Sequence, residues 1–177
     1  MRRETAAHPE EMVERLFSKL HSEVALMWQE KNLDKKLEYV LKKLVSIPQV
    51  AAIILFGSVA RGKAIPTSDI DLAVLLSEDV EFGELKKLEV EVGSLADNDI
   101  DLALLHKLPY YIQRSVFEEG IVVFLRDERA DKILKNALFH AIKGYIENER
   151  MYKMVARSLR KKLMAEGRVG EDKKWRR

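Results

Sequence analysis

Apolar residues along this chain change their spacing several times, and each change predicts a different element. Val13, Leu16, Phe17, Leu20, Val24, Met27 and Trp28 recur at steps of three and four, which places them on one face of a helix. A second set, Leu33, Leu37, Val40, Leu41 and Leu44, follows Asn32, a residue suited to capping a helix start. Pro48 then disfavours helical geometry at Ile47 and ends that segment. From Val50 the helical period is lost. "VAAIILF" (50–56) is apolar without interruption, as expected of a strand buried on both faces. "DIDLAVLL" (69–76) and "DIDLALL" (99–105) open with alternating carboxylate and apolar positions and close apolar, which predicts two further strands. Phe82, Leu85, Leu88, Val92 and Leu95 predict a helix within 81–96. Pro109 heads a short helix carrying Ile112, Val116 and Phe117, Gly120 stops it, and "IVVFL" (121–125) predicts the last strand. From Asp127 to about Glu166 a single helical pattern continues, with Gly144 as a weak point or kink and Gly167 as terminator.

This order predicts an α/β (α+β) fold, a small mixed sheet of about four strands with helices. It divides the chain into a helical N-terminal extension (1–48), a core (49–126), a long C-terminal helix (127–167) and a basic tail (168–177).

Composition narrows the classes of function. The chain has 177 residues, enough for one domain with a real core. Its net charge is only +2, so the whole molecule is not a general binder of nucleic acid. Residues 157–177 are locally basic, with nine Lys or Arg against three acids. A solvated helix end is the favoured reading there, and contact with RNA or an acidic partner is the alternative. The chain lacks cysteine, which excludes disulfides, thiolate metal sites and a thiol nucleophile. It has no apolar run near the roughly 18 residues of a membrane span, and Met1-Arg2-Arg3 leads into acidic sequence. A cytoplasmic protein is the expectation. The apolar N-terminal stripe reads as an accessory core or a dimer face, which leaves a homo-oligomer open.

The candidate chemistry begins at "ILFGSVARGKA" (53–63). Gly57, Gly62 and Lys63 have the spacing of a P-loop, but Ala64 lacks the hydroxyl that would bind Mg²⁺. Pro66 and the strand that follows leave no room for the long helix a P-loop opens. The alternative takes Gly57-Ser58 together with Asp69-Ile70-Asp71. Two carboxylates two apart on a strand share a face and repel unless a hard cation lies between them. Mg²⁺ prefers one or two carboxylates completed by phosphate oxygens. A glycine turn with a serine hydroxyl just upstream could cradle the polyphosphate. Phosphoryl or nucleotidyl transfer by two metals needs a further acid from a neighbouring strand. "DIDLALL" offers Asp99 and Asp101, and periodicity does not choose between them.

"FGSVARGKAIPTSDIDLAVLL" resembles the signature of the DNA polymerase β-like nucleotidyltransferase superfamily, and most closely its minimal nucleotidyltransferases. "NDIDLALLHKLPYYIQRSVFEEGIVVFLRDE" resembles the rest of that small domain, so the likeness covers roughly residues 50–128. The resemblance implies a nucleotidyltransferase fold, with Gly57 and Ser58 as the phosphate turn and Asp69 and Asp71 as metal ligands. It implies Asp101 as the third carboxylate, assisting the attacking hydroxyl and sharing a metal, with Asp99 a flanking acid. Arg61 matches an arginine that contacts phosphate or braces the loop; Lys63 falls where the family varies. Further implications are two Mg²⁺ ions, ATP as substrate, and a HEPN ribonuclease toxin as partner. The chain would then be an antitoxin, an adenylyltransferase that places AMP on a tyrosine of the toxin. Two alternatives stand beside it: a non-catalytic antitoxin acting by steric occlusion, and a transferase acting on a small-molecule or RNA hydroxyl.

Overall fold

Seven unbroken apolar residues make β1 (Val50–Phe56) the spine of a four-stranded sheet, and all but the last are buried. The computed structural model describes residues 33–65, 68–77, 82–96 and 99–166. The helix expected around residues 13–28, the Asn32 cap, Gly167 and the basic tail lie outside them.

β2 (Ile70–Leu76) and β4 (Ile121–Leu125) flank β1, both antiparallel to it, and β3 (Ile100–Leu104) runs parallel to β2 at the edge. The order is β3-β2-β1-β4, a mixed sheet as the sequence predicts. Alternation along β2 assigns its two faces. Ile70, Leu72, Val74 and Leu76 join one core, while Ala73 and Leu75, in phase with Asp71, join the other.

The first core is closed by α1 (Leu33–Ser46) and α3 (Phe82–Gly93), through Leu37, Leu41 and Leu44 of α1 and Leu88 and Val92 of α3. α1 is therefore part of the same packed interior as the strands. Arg126, just past β4, locks its end. Its guanidinium donates to the carbonyls of Val50 at 2.7 Å, Val45 at 2.9 Å and Ile47 at 2.8 Å. Carbonyls at a helix C-terminus carry partial negative charge and lack intrahelical donors, so one cation satisfies several at once.

The second core is closed by α4 (Tyr110–Glu119) and α5 (Glu128–Ala165), through Val116 of α4 and Ala130 and Ile133 of α5. α5 spans 38 residues, and the Asp127 side chain caps it by accepting the Ala130 N–H at 2.8 Å. The helix continues unbroken through Gly144. A Cβ at that position would lie 2.5 Å from carbons of the Tyr110 ring, so the missing side chain serves close packing of α4 on α5. Among the described residues, no helix is long and apolar enough to cross a membrane.

Two short elements differ from expectation. Leu105–Lys107 is a 3₁₀ turn rather than the end of a strand. Gly57–Ala60 forms α2, a single helical turn. Neither is long enough to carry a periodic signal.

Leu41 is fully buried. Leu41→Ala is expected to lower the unfolding free energy by about 2–5 kcal/mol, measured by urea denaturation. A cost near zero would mean that α1 is not part of the cooperative fold.

Candidate active site

β2 and β3 run parallel with Asp71 directly opposite Asp101. Aligned positions on neighbouring strands project from the same face, so the two carboxylates stand side by side. On its other flank Asp71 pairs with Phe56, the last residue of β1, and Gly57 follows at once. A Cβ on Gly57 would lie 1.9 Å from Asp71 Oδ2, and the residue has φ of 75°. Only glycine meets both demands, the left-handed backbone and the space its neighbour occupies.

From Gly57 the chain makes the turn α2 and then a reversal at Gly62, whose φ is 64°. The Lys63 N–H donates to Ser58 O at 2.9 Å and closes it. No side chain caps the start of α2, so amides at the Gly57-Ser58 end lack a side-chain acceptor, an arrangement that suits an anion. The chain returns through a turn built by Ser68. Its hydroxyl accepts the Ile65 N–H at 2.9 Å, and its own N–H donates to Ile65 O at 2.8 Å. Asp69 then lies in extended chain one residue before β2, exposed, rather than within the strand. The strand starts at Ile70, whose N–H donates to Asp99 O at 2.8 Å.

The electrostatics report the crowding. Burial, then the charges of Asp101 and Asp69, push the Asp71 carboxyl above its ordinary value, and Arg61 opposes them. The structure thus brings together Asp69, Asp71, Asp101, Gly57 and Arg61. Asp99 and Asp101 are separated by what they touch. Asp99 forms an ion pair with Lys36 of α1, whereas Asp101 is aligned with Asp71. Sequence spacing could not show this, because the partner lies 63 residues away. Arg61 donates from Nη1 to Glu119 Oε2 at 2.9 Å, at the end of α4.

Other polar side chains lie elsewhere. Arg114 pairs with Glu118 at 2.6 Å and sits over the Tyr145 ring. His106 and His140 line a separate cavity of about 370 Å³ with Leu75 and Leu76, at the opposite end of β2.

The carboxylate set fits a divalent cation. Two further acids, Asp69 and Asp101, converge on Asp71, whose carboxylate packs against Gly57. A cation between them would relieve their repulsion. Among the described residues, no group of three or more Asp, Glu or His side chains is arranged to hold an ion unaided. Phosphate oxygens would have to complete the coordination, which is the habit of Mg²⁺.

A family model described as Polymerase beta, Nucleotidyltransferase matches residues 35–129. The protein adenylyltransferase MntA of Shewanella oneidensis is 32% identical over 75 residues, 42% of this chain and 54% of that protein, so the match spans about half the relative's length. Among solved structures, a toxin–antitoxin complex with AMP-PNP is 23% identical, with a TM-score of 0.48, covering 69% of this chain and 97% of that one. The structure of tri-AMPylated Shewanella oneidensis HEPN toxin with MNT antitoxin gives 21% identity and a TM-score of 0.44, covering 69% and 94%.

A carboxyl whose folded pKa is raised costs stability when ionised, and the cost appears as pH rises above the ordinary value of 3.8. Asp71→Asn is therefore expected to raise the Tm of the metal-free protein at pH 7. The gain should shrink on acidification and vanish once both states are protonated, below that ordinary value. Thermal melts across pH would show it; a variant less stable at pH 7 would contradict the crowding.

Proposed function

The chain belongs to the polymerase beta nucleotidyltransferase family, and from that premise we propose that it transfers AMP from ATP, with Mg²⁺, to a hydroxyl of a protein partner. The observation that carries this reading is the alignment of Asp71 with Asp101, with Asp69 alongside and Gly57 packed against the Asp71 carboxylate. A family fold with a dispersed or missing acid set would not support catalysis; here the three acids lie close enough to act on one another's charge.

Asp69 and Asp71 would hold Mg²⁺, and Asp101 would share it. The bound cation would neutralise the phosphate charge that builds as the leaving group departs. The amides at Gly57-Ser58 and the Ser58 hydroxyl would receive the β- and γ-phosphates. Asp101, the more exposed of the aligned pair, would accept the proton of the attacking hydroxyl. That oxygen bonds to the α-phosphorus as the bond to the β-phosphate oxygen breaks. Pyrophosphate leaves, and the acceptor becomes an AMP ester. Most of the rate would come from alignment and charge neutralisation, since the protein forms no covalent bond itself.

For the acceptor we assign a tyrosine of a HEPN ribonuclease toxin, which makes this chain an antitoxin. Support comes from the resemblance of residues 50–128 to minimal nucleotidyltransferases, and from a relative that is itself a protein adenylyltransferase. An AMP group near a ribonuclease site would block RNA by bulk and by negative charge.

The test is incubation of the protein with labelled ATP, Mg²⁺ and the toxin. Asp101→Asn is expected to lower transfer by about 10²–10⁴-fold, the usual loss when a general base is removed. Asp99→Asn should leave transfer within a few-fold of wild type, because Asp99 is engaged with Lys36. Asp69→Ala with Asp71→Ala should abolish labelling. Labelling by that double variant at the wild-type rate, or none by wild type with any divalent metal, would sink the reading.

A further inference from the structure

Arg61 stands between two sets of acids. On one side its guanidinium donates to Glu119 at 2.9 Å; on the other its backbone N–H donates to the carbonyl of Gly57 at 3.3 Å, one turn from the glycine that packs against Asp71, whose carboxyl feels the Arg61 charge. Both partners of the ion pair are about two-fifths exposed, 39% for Arg61 and 43% for Glu119. A pair in that setting contributes about 0–1 kcal/mol to stability, so the fold does not depend on it. What the pair decides is where the guanidinium points.

The two ends differ in how firmly they are held. Glu119 is the last residue of α4, and Gly120 behind it is wedged into the sheet. A Cβ on Gly120 would lie 2.1 Å from Val116 O and 2.7 Å from Ile54 Cγ2. The Gly120 N–H donates to Val116 O at 3.0 Å, and Ile121 pairs with Leu55 of β1. The Glu119 backbone is therefore planted beside the end of β1. Arg61, by contrast, ends a single helical turn and precedes a glycine in left-handed geometry. Without Glu119, the guanidinium would be free to turn toward Asp71, whose carboxyl already feels its charge. Guanidinium binds carboxylates in a bidentate fork and would cover the same lone pairs a divalent cation needs.

We propose that Glu119 is a positioning residue that holds Arg61 off the Asp69, Asp71 and Asp101 carboxylates, leaving them open to a divalent cation and the guanidinium at the rim for the polyphosphate. This rests on the nucleotidyltransferase reading and adds to it a residue outside the glycine turn and the acids.

The experiment measures Mn²⁺ binding to the full chain by electron paramagnetic resonance, with a saturating ATP analogue that cannot be cleaved between its α- and β-phosphates present to complete the coordination, so the readout does not depend on turnover. Glu119→Gln is expected to weaken Mn²⁺ about two- to fivefold, the range open to an exposed ion pair, with little change in Tm. Glu119→Asp, which keeps the charge, should recover much of the loss. Adding Arg61→Gln to Glu119→Gln should return Mn²⁺ affinity to wild type or better, while the KM for ATP stays raised because the rim cation is gone. Unchanged Mn²⁺ affinity in Glu119→Gln overturns the proposal, as does a weakening that Arg61→Gln fails to reverse. If wild type transfers AMP in either case, only the role of Glu119 is lost. A wild-type chain that binds neither Mn²⁺ nor ATP removes the nucleotidyltransferase reading and this proposal together.

Discussion

Two carboxylates placed side by side on parallel strands are the constraint to which the rest of the molecule answers. Burial makes Asp71 costly to ionise, and repulsion from the aligned Asp101 adds to that cost. They are held there because the same strands carry apolar residues at every other position. Slipping β2 by one residue would relieve the repulsion only by turning the Asp71 carboxylate toward the first core and Ile70, Leu72 and Val74 out of it. Each of those side chains is worth roughly 1.5–3 kcal/mol when fully buried. Hydrophobic register thus outweighs electrostatic discomfort, and a cluster of carboxylates at one end of the sheet is the consequence.

Around that pair, neighbouring features restrict how the strain can be released. Gly57 leaves the space that the Asp71 carboxylate occupies. Lys36 engages Asp99 and leaves Asp101 as the acid aligned with Asp71. Arg126 joins the end of α1 to the entry of β1 through three carbonyls, so α1 and its lysine are held relative to the strands. Arg61 reduces the negative potential at Asp71 while bound to Glu119. The acids are accordingly held close by the strand register while the nearest guanidinium is bound elsewhere.

Much of the fold was legible in the chain. The four strand segments appear within a residue or two of where the apolar runs place them, because uninterrupted or alternating apolar residues have few other ways to be buried. Pro109 and Gly120 bracket α4 for similarly local reasons, one pre-set for a helix start and the other allowing close packing at its end. The site was legible in part. Gly57, Asp69 and Asp71 are near one another in sequence, and their spacing alone suggested a common surface. Asp69 proved to sit just ahead of the strand rather than in it, since β2 begins where Ile70 finds the Asp99 carbonyl. Single-turn elements such as α2 leave no periodic trace, and Ser68 is an ordinary turn residue until its two hydrogen bonds are seen.

The sequence by itself determined the elements, their order and the glycine turn followed by paired acids, because those depend on neighbours a few residues apart. It could not separate Asp99 from Asp101, show that α1 belongs to the core, or reveal the partners of Arg126 and Arg61. Each of those depends on groups that meet across the fold, 58 residues apart for Arg61 and Glu119, 63 for Lys36 and Asp99, and as many as 81 for Arg126 and Val45. Periodicity describes which face a residue takes. Only the packed sheet decides what stands on the other side.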